Sequence, residues 1–137
     1  RSAIADTGPL VAYLDRRERY HVWVSEQLRG LEPPLLVCEP VLTETFFLLR
    51  HLPVACDSLM ELLSNGALRL AFRLEDHLAE VRAIYGKYRD RPVSLADACL
   101  VRMAELSEGH AVLTLDSDFG VYRKHGQVAI PLLSPVS

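Results

Sequence analysis

Two carboxylates of this chain stand where short apolar segments end. Asp6 follows residues 2–5, and Asp116 follows residues 111–115. Each segment has the length and composition of a buried strand, and open α/β sheets bind their ligands at the carboxyl edge of such strands. The two acids are therefore predicted to lie at that edge, where side chains from separate strands can converge on one ligand.

Two further carboxylates fall inside predicted helices. Glu44 and Asp97 have mostly apolar neighbours three and four positions away, and neither has a cation at helical spacing. A charged side chain on an apolar helix face is costly unless something pairs with it. For several converging carboxylates, the economical partner is a divalent metal ion.

The chemistry open to such a set is narrow. Hard oxygen ligands select Mg²⁺ or Mn²⁺, and the sequence has no His/Cys cluster of the kind that binds zinc. A metal held by carboxylates activates water for in-line attack on a phosphodiester and stabilises charge on the leaving oxygen. Uncompensated acids repel phosphate, so the cation is needed for substrate binding as well.

Three of these acids also have a purely structural interpretation. Asp6 could cap the helix that follows it, and Asp116 could cap a short turn. Asp97 stands three residues after Ser94, which is the spacing of a capping box. Glu44 lies too far inside its helix to be a cap. The metal interpretation and the capping interpretation both remain open for the other three.

The composition of the chain limits its domain number, its class and its location. The chain has 137 residues, half of them hydrophobic, which is enough for one domain with its own core. A net charge of −3 excludes a generally basic nucleic-acid coat. Cys38, Cys56 and Cys99 form no metal or disulfide pattern and are expected to be reduced thiols. No run approaches a membrane span and no leader is visible, so a cytoplasmic protein without membrane contact is expected.

Short β-rich runs alternate with longer helical ones, with no repeat or linker. Strands are predicted at residues 2–6, 35–38, 67–72, 111–115 and 127–132, and helices at 8–14, 20–30, 40–51, 54–65, 75–89 and 94–108. This alternation predicts one α/β domain over residues 1–137. Its parallel sheet is covered by helices on both faces, giving three layers.

Four short motifs, in this order, resemble the PIN domain. They are Asp6-Thr7, Thr43-Glu44, the segment 95–98 (Leu-Ala-Asp-Ala) and the segment 114–119 (Thr-Leu-Asp-Ser-Asp-Phe). The resemblance covers essentially the whole chain and looks closest to the VapC-type toxins of type II toxin–antitoxin pairs. It implies a parallel sheet of five strands in the order 3-2-1-4-5, carrying the site of a Mg²⁺- or Mn²⁺-dependent endoribonuclease at its carboxyl edge.

The resemblance also implies roles for individual residues. The matching catalytic and metal-binding acids are Asp6, Glu44, Asp97 and Asp116, with Asp118 as an additional or outer acid. Thr7 and Thr114 match small polar positions that hold the carboxylates or a metal-bound water. The chain lacks an obvious basic cluster at its end, so the sequence indicates the residues that contact RNA less clearly than those that bind the metal.

The implied partners are an RNA substrate, a small antitoxin and a second copy of the chain. A stripe that includes Tyr20 and Trp23, together with the apolar helix from Pro53 to Leu63, indicates a self-association surface or an antitoxin groove. Two basic groups could meet the RNA backbone, although both also suit solvated turns: Arg16, Arg17 and Arg19, and Lys87, Arg89 and Arg91.

Two other functions compete with the toxin interpretation. One is a PIN nuclease that processes or degrades RNA without an antitoxin, which would share the site and differ in its partner. The other is a PIN-like module that binds RNA or protein without cutting it. A phosphatase built on Asp116 and Asp118 is excluded because only about twenty residues follow, too few for the rest of such a fold.

Overall fold

The computed structural model describes residues 1–135. Its strands are β1 (Ala3–Ala5), β2 (Leu35–Val37), β3 (Leu68–Leu70), β4 (Ala111–Leu113), β5 (Arg123–Lys124), β6 (Val128–Ala129) and β7 (Leu132–Leu133). Its α-helices are α1 (Thr7–Leu14), α2 (His21–Arg29), α3 (Glu39–Leu49), α4 (Pro53–Ser64), α5 (Leu78–Tyr88) and α6 (Leu95–Leu106). Two 3-10 helices cover Leu74–His77 and Ser117–Val121.

The main sheet is parallel throughout and has the order β3-β2-β1-β4-β7. This confirms the predicted order 3-2-1-4-5, with β7 as the fifth strand of the sheet. The central strands β1 and β4 are wholly buried, in register from Ala3 beside Ala111 to Ala5 beside Leu113. Uninterrupted apolar runs are what strands buried on both faces require.

Helices flank this sheet and supply most of the core. Contacts join α1 to α2, α3 and α4, and a second group is formed by α5 packed on α6. Within α6, Leu100 and Val101 are buried, as are Ile4 of β1 and Phe119 after β4. Cys38, Cys56 and Cys99 are free thiols, as predicted. Among residues 1–135, none of the helices has the length and apolarity needed to cross a bilayer.

The last predicted strand, 127–132, is wrong in one respect. The chain first makes an antiparallel hairpin from β5 and β6, and only then enters the sheet as β7. Two successive positive φ angles, 52° at His125 and 79° at Gly126, close the hairpin turn. Pro131 has no N–H to continue a ladder, and it separates β6 from β7. The other elements match their predictions to within a few residues at each end.

The carboxyl edge of the sheet is where several elements begin. Strand β1 passes into α1 through Asp6, and β2 passes into α3 through Cys38. The backbone N–H of Asp6 donates to the carbonyl of Leu113 at 3.0 Å, which ties the end of β1 to the end of β4. The polar residues after β1 and after β4 are thereby brought side by side.

Candidate active site

Asp6 is the most deeply placed of the predicted acids, and 9% of its surface is exposed. One carboxylate oxygen, Oδ1, accepts the backbone N–H of Thr7 at 2.8 Å, so Asp6 caps α1. The other, Oδ2, accepts the hydroxyl of Thr114 at 2.8 Å. Both oxygens therefore have donors, one from its own helix and one from the end of β4.

Thr114 connects two of the acids. Its hydroxyl donates to Asp6 and accepts the backbone N–H of Asp116 at 3.0 Å. The Thr114 side chain is fully buried, which fixes the spacing between the two segments. Asp116 in turn accepts the N–H of Asp118 through Oδ1 at 2.9 Å and caps the short helix Ser117–Val121. These bonds fix Asp6 and Asp116 relative to each other, and a supporting role of Thr114 in a metal site stays a prediction.

Asp97 lies in the first turn of α6 and completes a capping box with Ser94. The Ser94 hydroxyl accepts the N–H of Asp97, and Asp97 Oδ2 accepts the N–H of Ser94, both at 3.0 Å. The same Oδ2 also accepts the hydroxyl of Tyr122 at 3.2 Å. The capping interpretation of Asp97 is therefore correct, and the capping position places the side chain beside the other acids.

Electrostatics show that three of the acids share one region. Burial is the largest influence on Asp6 and raises its pKa to about 6, although the bonds from Thr114 and Thr7 oppose the rise. The negative charges of Asp97 and Asp116 raise the Asp6 pKa further. Burial first, and then the charge of Asp97, raises the pKa of Tyr122, so this hydroxyl stays a proton donor at neutral pH.

Glu44 stands apart from this group. Its side chain is exposed on α3, and no hydrogen bond or ion pair from it is found within residues 1–135. The expectation that apolar neighbours would make its charge costly is wrong, because Phe47 and Leu48 are themselves 59% and 43% exposed. The buried face of α3 is the one carrying Val41, Leu42, Thr45 and Leu49. Glu44 thus projects from the solvent side of its helix.

The arrangement matches a known family. A family model described as PIN domain matches residues 3–124. The chain belongs to the PIN domain family. Ribonuclease VapC26 of Mycobacterium tuberculosis (strain ATCC 25618 / H37Rv) is 32% identical over 116 residues, which cover 82% of this chain and 85% of that protein. The resemblance to VapC-type PIN proteins is confirmed.

A solved structure shows the same fold. The crystal structure of Mycobacterium tuberculosis VapC20, a toxin that cleaves the sarcin–ricin loop, matches with a TM-score of 0.75 and 18% sequence identity. The match covers 85% of this chain and 92% of that chain. The strand order and the flanking helices described above are therefore those of a PIN fold.

The donor set of this PIN domain suits a hard cation. Asp6, Asp97 and Asp116 offer only oxygen, which is the ligand type of Mg²⁺ and Mn²⁺. Thr7, beside Asp6, is 4% exposed, and its hydroxyl is the one buried side-chain polar atom in residues 1–135 without a hydrogen-bond partner. A water bound next to the acids would satisfy it. As placed, no three acid, His or Cys side chains in that range close around a single ion.

The two basic groups lie on different segments of the fold. Arg16, Arg17 and Arg19 follow α1, whose eight residues carry the chain about 12 Å away from Asp6. Arg17 pairs there with Asp15, with 3.3 Å between Nε and Oδ1. The second group, Lys87, Arg89 and Arg91, precedes α6 and so stands at the end of that helix where Asp97 lies. Arg89 and Arg91 are exposed, while Lys87 donates to the carbonyl of Gly126 at 2.6 Å.

A groove of about 1000 Å³ runs between the end of α1, α2 and α4. Its lining includes the apolar residues Leu28 and Leu62, the cations Arg16, Arg17 and Arg29, and the acids Asp15 and Glu61. The stripe predicted around Tyr20 and Trp23 continues at helical spacing through Val24 and Leu28. Val24 is in the core, Tyr20 and Trp23 are half-buried, and Leu28 is the member of the stripe that lines the groove. The apolar helix predicted at Pro53–Leu63 is α4, which forms one wall.

Sequence reasoning missed Tyr122 as a residue of the site. Its partner Asp97 is 25 positions earlier in the chain, and no motif links the two. The only signal was its spacing of three from Phe119 in a short helical turn, which indicates packing rather than a polar contact.

Proposed function

We propose that this PIN domain is a Mg²⁺- or Mn²⁺-dependent endoribonuclease and the toxin of a type II toxin–antitoxin pair. The observation that carries the proposal is the electrostatic influence of Asp97 and Asp116 on the buried carboxyl of Asp6 at the carboxyl edge of the sheet. Like charges gathered at partly buried positions are costly, and a bound cation offsets that cost. A purely structural set of caps has no reason to converge.

The acids of the site would bind the cation, and the threonines position the acids and a water. Asp97 and Asp116 each keep one carboxylate oxygen without a donor in the described part of the chain, and these oxygens would hold the cation together with Asp6. When bound, the cation would activate water for in-line attack on a phosphodiester and offset charge on the leaving oxygen. Thr114 holds Asp6 in place, and the unpaired Thr7 hydroxyl would orient a water beside it.

The outer acids have different roles. Glu44 is free of protein partners in residues 1–135, so its side chain can reorient toward the site when a cation or phosphate binds. Asp118 is exposed, and its charge acts on Tyr122 together with those of Asp97 and Asp116. We assign Glu44 to the catalytic set and Asp118 to its outer part.

RNA as the substrate is supported by the curated relative, which is named a ribonuclease, and by the toxin with the same fold, which cleaves the sarcin–ricin loop. Exposed Arg89 and Arg91 stand before α6 at the Asp97 end of that helix, where phosphates of a bound strand would need positive charge. Arg16, Arg17 and Arg19 lie at the far end of α1. We therefore assign RNA contact to the group that contains Arg89 and Arg91.

The groove between α2 and α4 suits the antitoxin. Its apolar lining residues match the apolar face of an amphipathic segment, and its arginines, which outnumber its acids, match acidic residues on such a segment. Val54, another residue that lines the groove, is 77% exposed. Exposed Phe47 and Leu48 on α3 would be covered by a second copy in a homodimer.

A cell-based experiment tests the toxin function. Controlled expression of the chain without a partner should slow growth, and RNA from those cells should acquire new cleaved ends. Asp116→Asn should do neither while accumulating to the same level. Growth arrest that persists in Asp116→Asn would refute the proposal, and cleaved ends without growth arrest would favour a PIN nuclease of RNA processing.

A further inference from the structure

Tyr122 makes a contact that the catalytic set does not explain. It follows the short helix Ser117–Val121 and is 5% exposed, and its hydroxyl donates to Asp97 Oδ2 at 3.2 Å. This bond joins the segment that carries Asp116 and Asp118 to the first turn of α6. Two parts of the site that are separate in the chain are thus held together by one hydroxyl.

The tyrosine ring is held rigidly. It meets Phe119 edge to face, with 5.0 Å between ring centroids and an interplanar angle of 87°. It meets Tyr88 of α5 at the same distance and an angle of 67°. Its backbone N–H donates to the carbonyl of Phe119 at 3.2 Å. A hydroxyl on a ring packed in this way has a fixed position, which is what orienting another side chain requires.

The Tyr122 hydroxyl restrains the carboxylate of Asp97 through one of its two oxygens. Oδ2 accepts the Ser94 N–H at 3.0 Å and the Tyr122 hydroxyl, while Oδ1 has no donor among residues 1–135. The capping box alone supplies one bond to Oδ2 and leaves the carboxylate able to rotate about it. The second bond, from a different element, fixes the plane of the carboxylate and leaves Oδ1 for a ligand.

We propose that Tyr122 is a positioning residue of the cation site, which orients Asp97 so that Oδ1 is presented beside Asp6 and Asp116. This inference rests on the proposed metal dependence and adds to it a residue outside the acids. Carboxylates that bind metals are commonly oriented by such outer hydrogen bonds, and losing one typically costs about 10- to 100-fold in metal affinity.

The test compares two tyrosines of the same aromatic cluster. Tyr122→Phe removes the hydroxyl that meets Asp97 and keeps the ring. Tyr88→Phe is the matched control, because Tyr88 is 6% exposed and its hydroxyl accepts the N–H of Arg123 rather than contacting an acid. Mn²⁺ binding to the wild type and both variants is measured by titration calorimetry. Tyr122→Phe should weaken binding about tenfold or more, and Tyr88→Phe should change it less than about twofold.

Each outcome has one meaning. Equal Mn²⁺ affinity in Tyr122→Phe and wild type would overturn the inference and leave the proposed function intact. Equal losses in the two variants would overturn it as well, because the cause would then be packing of the cluster. Failure of the wild type to bind Mn²⁺ would count against the proposed function itself. Unfolding curves in EDTA for all three proteins establish that the variants remain folded.

Discussion

Replacing Asp6 by asparagine should stabilise the metal-free protein at neutral pH. In the folded protein the Asp6 carboxyl has a pKa of about 6, raised from 3.8 mainly by burial. Asp6 therefore binds its proton more tightly in the folded protein than in the unfolded chain. Below about pH 4 Asp6 is protonated in both states, so its ionisation does not lower the free energy of unfolding. As the pH rises the ionised carboxylate destabilises the folded protein, and this loss of stability reaches its full size above the folded pKa. Roughly two pKa units correspond to about 3 kcal/mol.

The substitution also removes interactions. Asparagine retains an oxygen for the Thr7 N–H, but its amide faces the Thr114 hydroxyl, and losing that bond costs about 1 kcal/mol. The expected net gain at pH 7.5 is therefore about 2 kcal/mol in the free energy of unfolding; it should fall to zero between about pH 4 and 5 and become a net loss of about 1 kcal/mol at lower pH.

Urea unfolding in EDTA at several values between pH 4.5 and 8 measures this difference. Asp57→Asn, which removes an exposed acid on α4, is the control and should show no such trend. A difference between Asp6→Asn and wild type that does not change with pH would refute the reasoning, because the cost would then not come from ionisation of Asp6. Saturating Mn²⁺ should stabilise the wild type and do much less for Asp6→Asn.

Three other outcomes are expected. Thr114→Val should destabilise the protein by about 1 to 3 kcal/mol in thermal unfolding, because it leaves the Asp116 N–H and Asp6 without their shared partner, whereas Thr114→Ser should be near wild type. Glu44→Gln should leave stability in EDTA unchanged, since the side chain is exposed, yet reduce Mn²⁺-dependent RNA cleavage about tenfold or more in a rate assay. Light scattering at tens of micromolar should report a dimer, and Phe47→Ser should shift it toward monomer; a strict wild-type monomer would refute this surface assignment.

The sheet could be predicted because its central strands are short apolar runs ended by acids. The runs before Asp6 and Asp116 became β1 and β4, and both acids lie at the predicted edge. Their convergence followed from topology alone. The hairpin of β5 and β6 could not be predicted, because a His-Gly turn is not a usual hairpin signal and the flanking residues alternate weakly.

The acids within helices were harder to place. Glu44 and Asp97 both have apolar neighbours at helical spacing, so the sequence predicts the same environment for the two. The number of apolar neighbours does not show which face of a helix packs on the core. Asp97 was placed by its capping position at the start of α6, whereas Glu44 lies among apolar residues that face solvent. The sequence therefore predicted a costly charge at Glu44 and Asp97, whereas in the structure the costly charge is that of Asp6, mainly because Asp6 is buried.

The central claim is that Asp6, Asp97 and Asp116 act as one cation-dependent site that cuts RNA. The most direct measurement is the rate at which the purified chain cleaves an end-labelled single-stranded RNA in Mn²⁺, in EDTA, and in Mn²⁺ after Asp97→Asn. The predicted result is cleavage by wild type in Mn²⁺ that EDTA abolishes and Asp97→Asn reduces about tenfold or more. Cleavage that continues in EDTA, or a folded Asp97→Asn protein that cleaves at the wild-type rate, would contradict it.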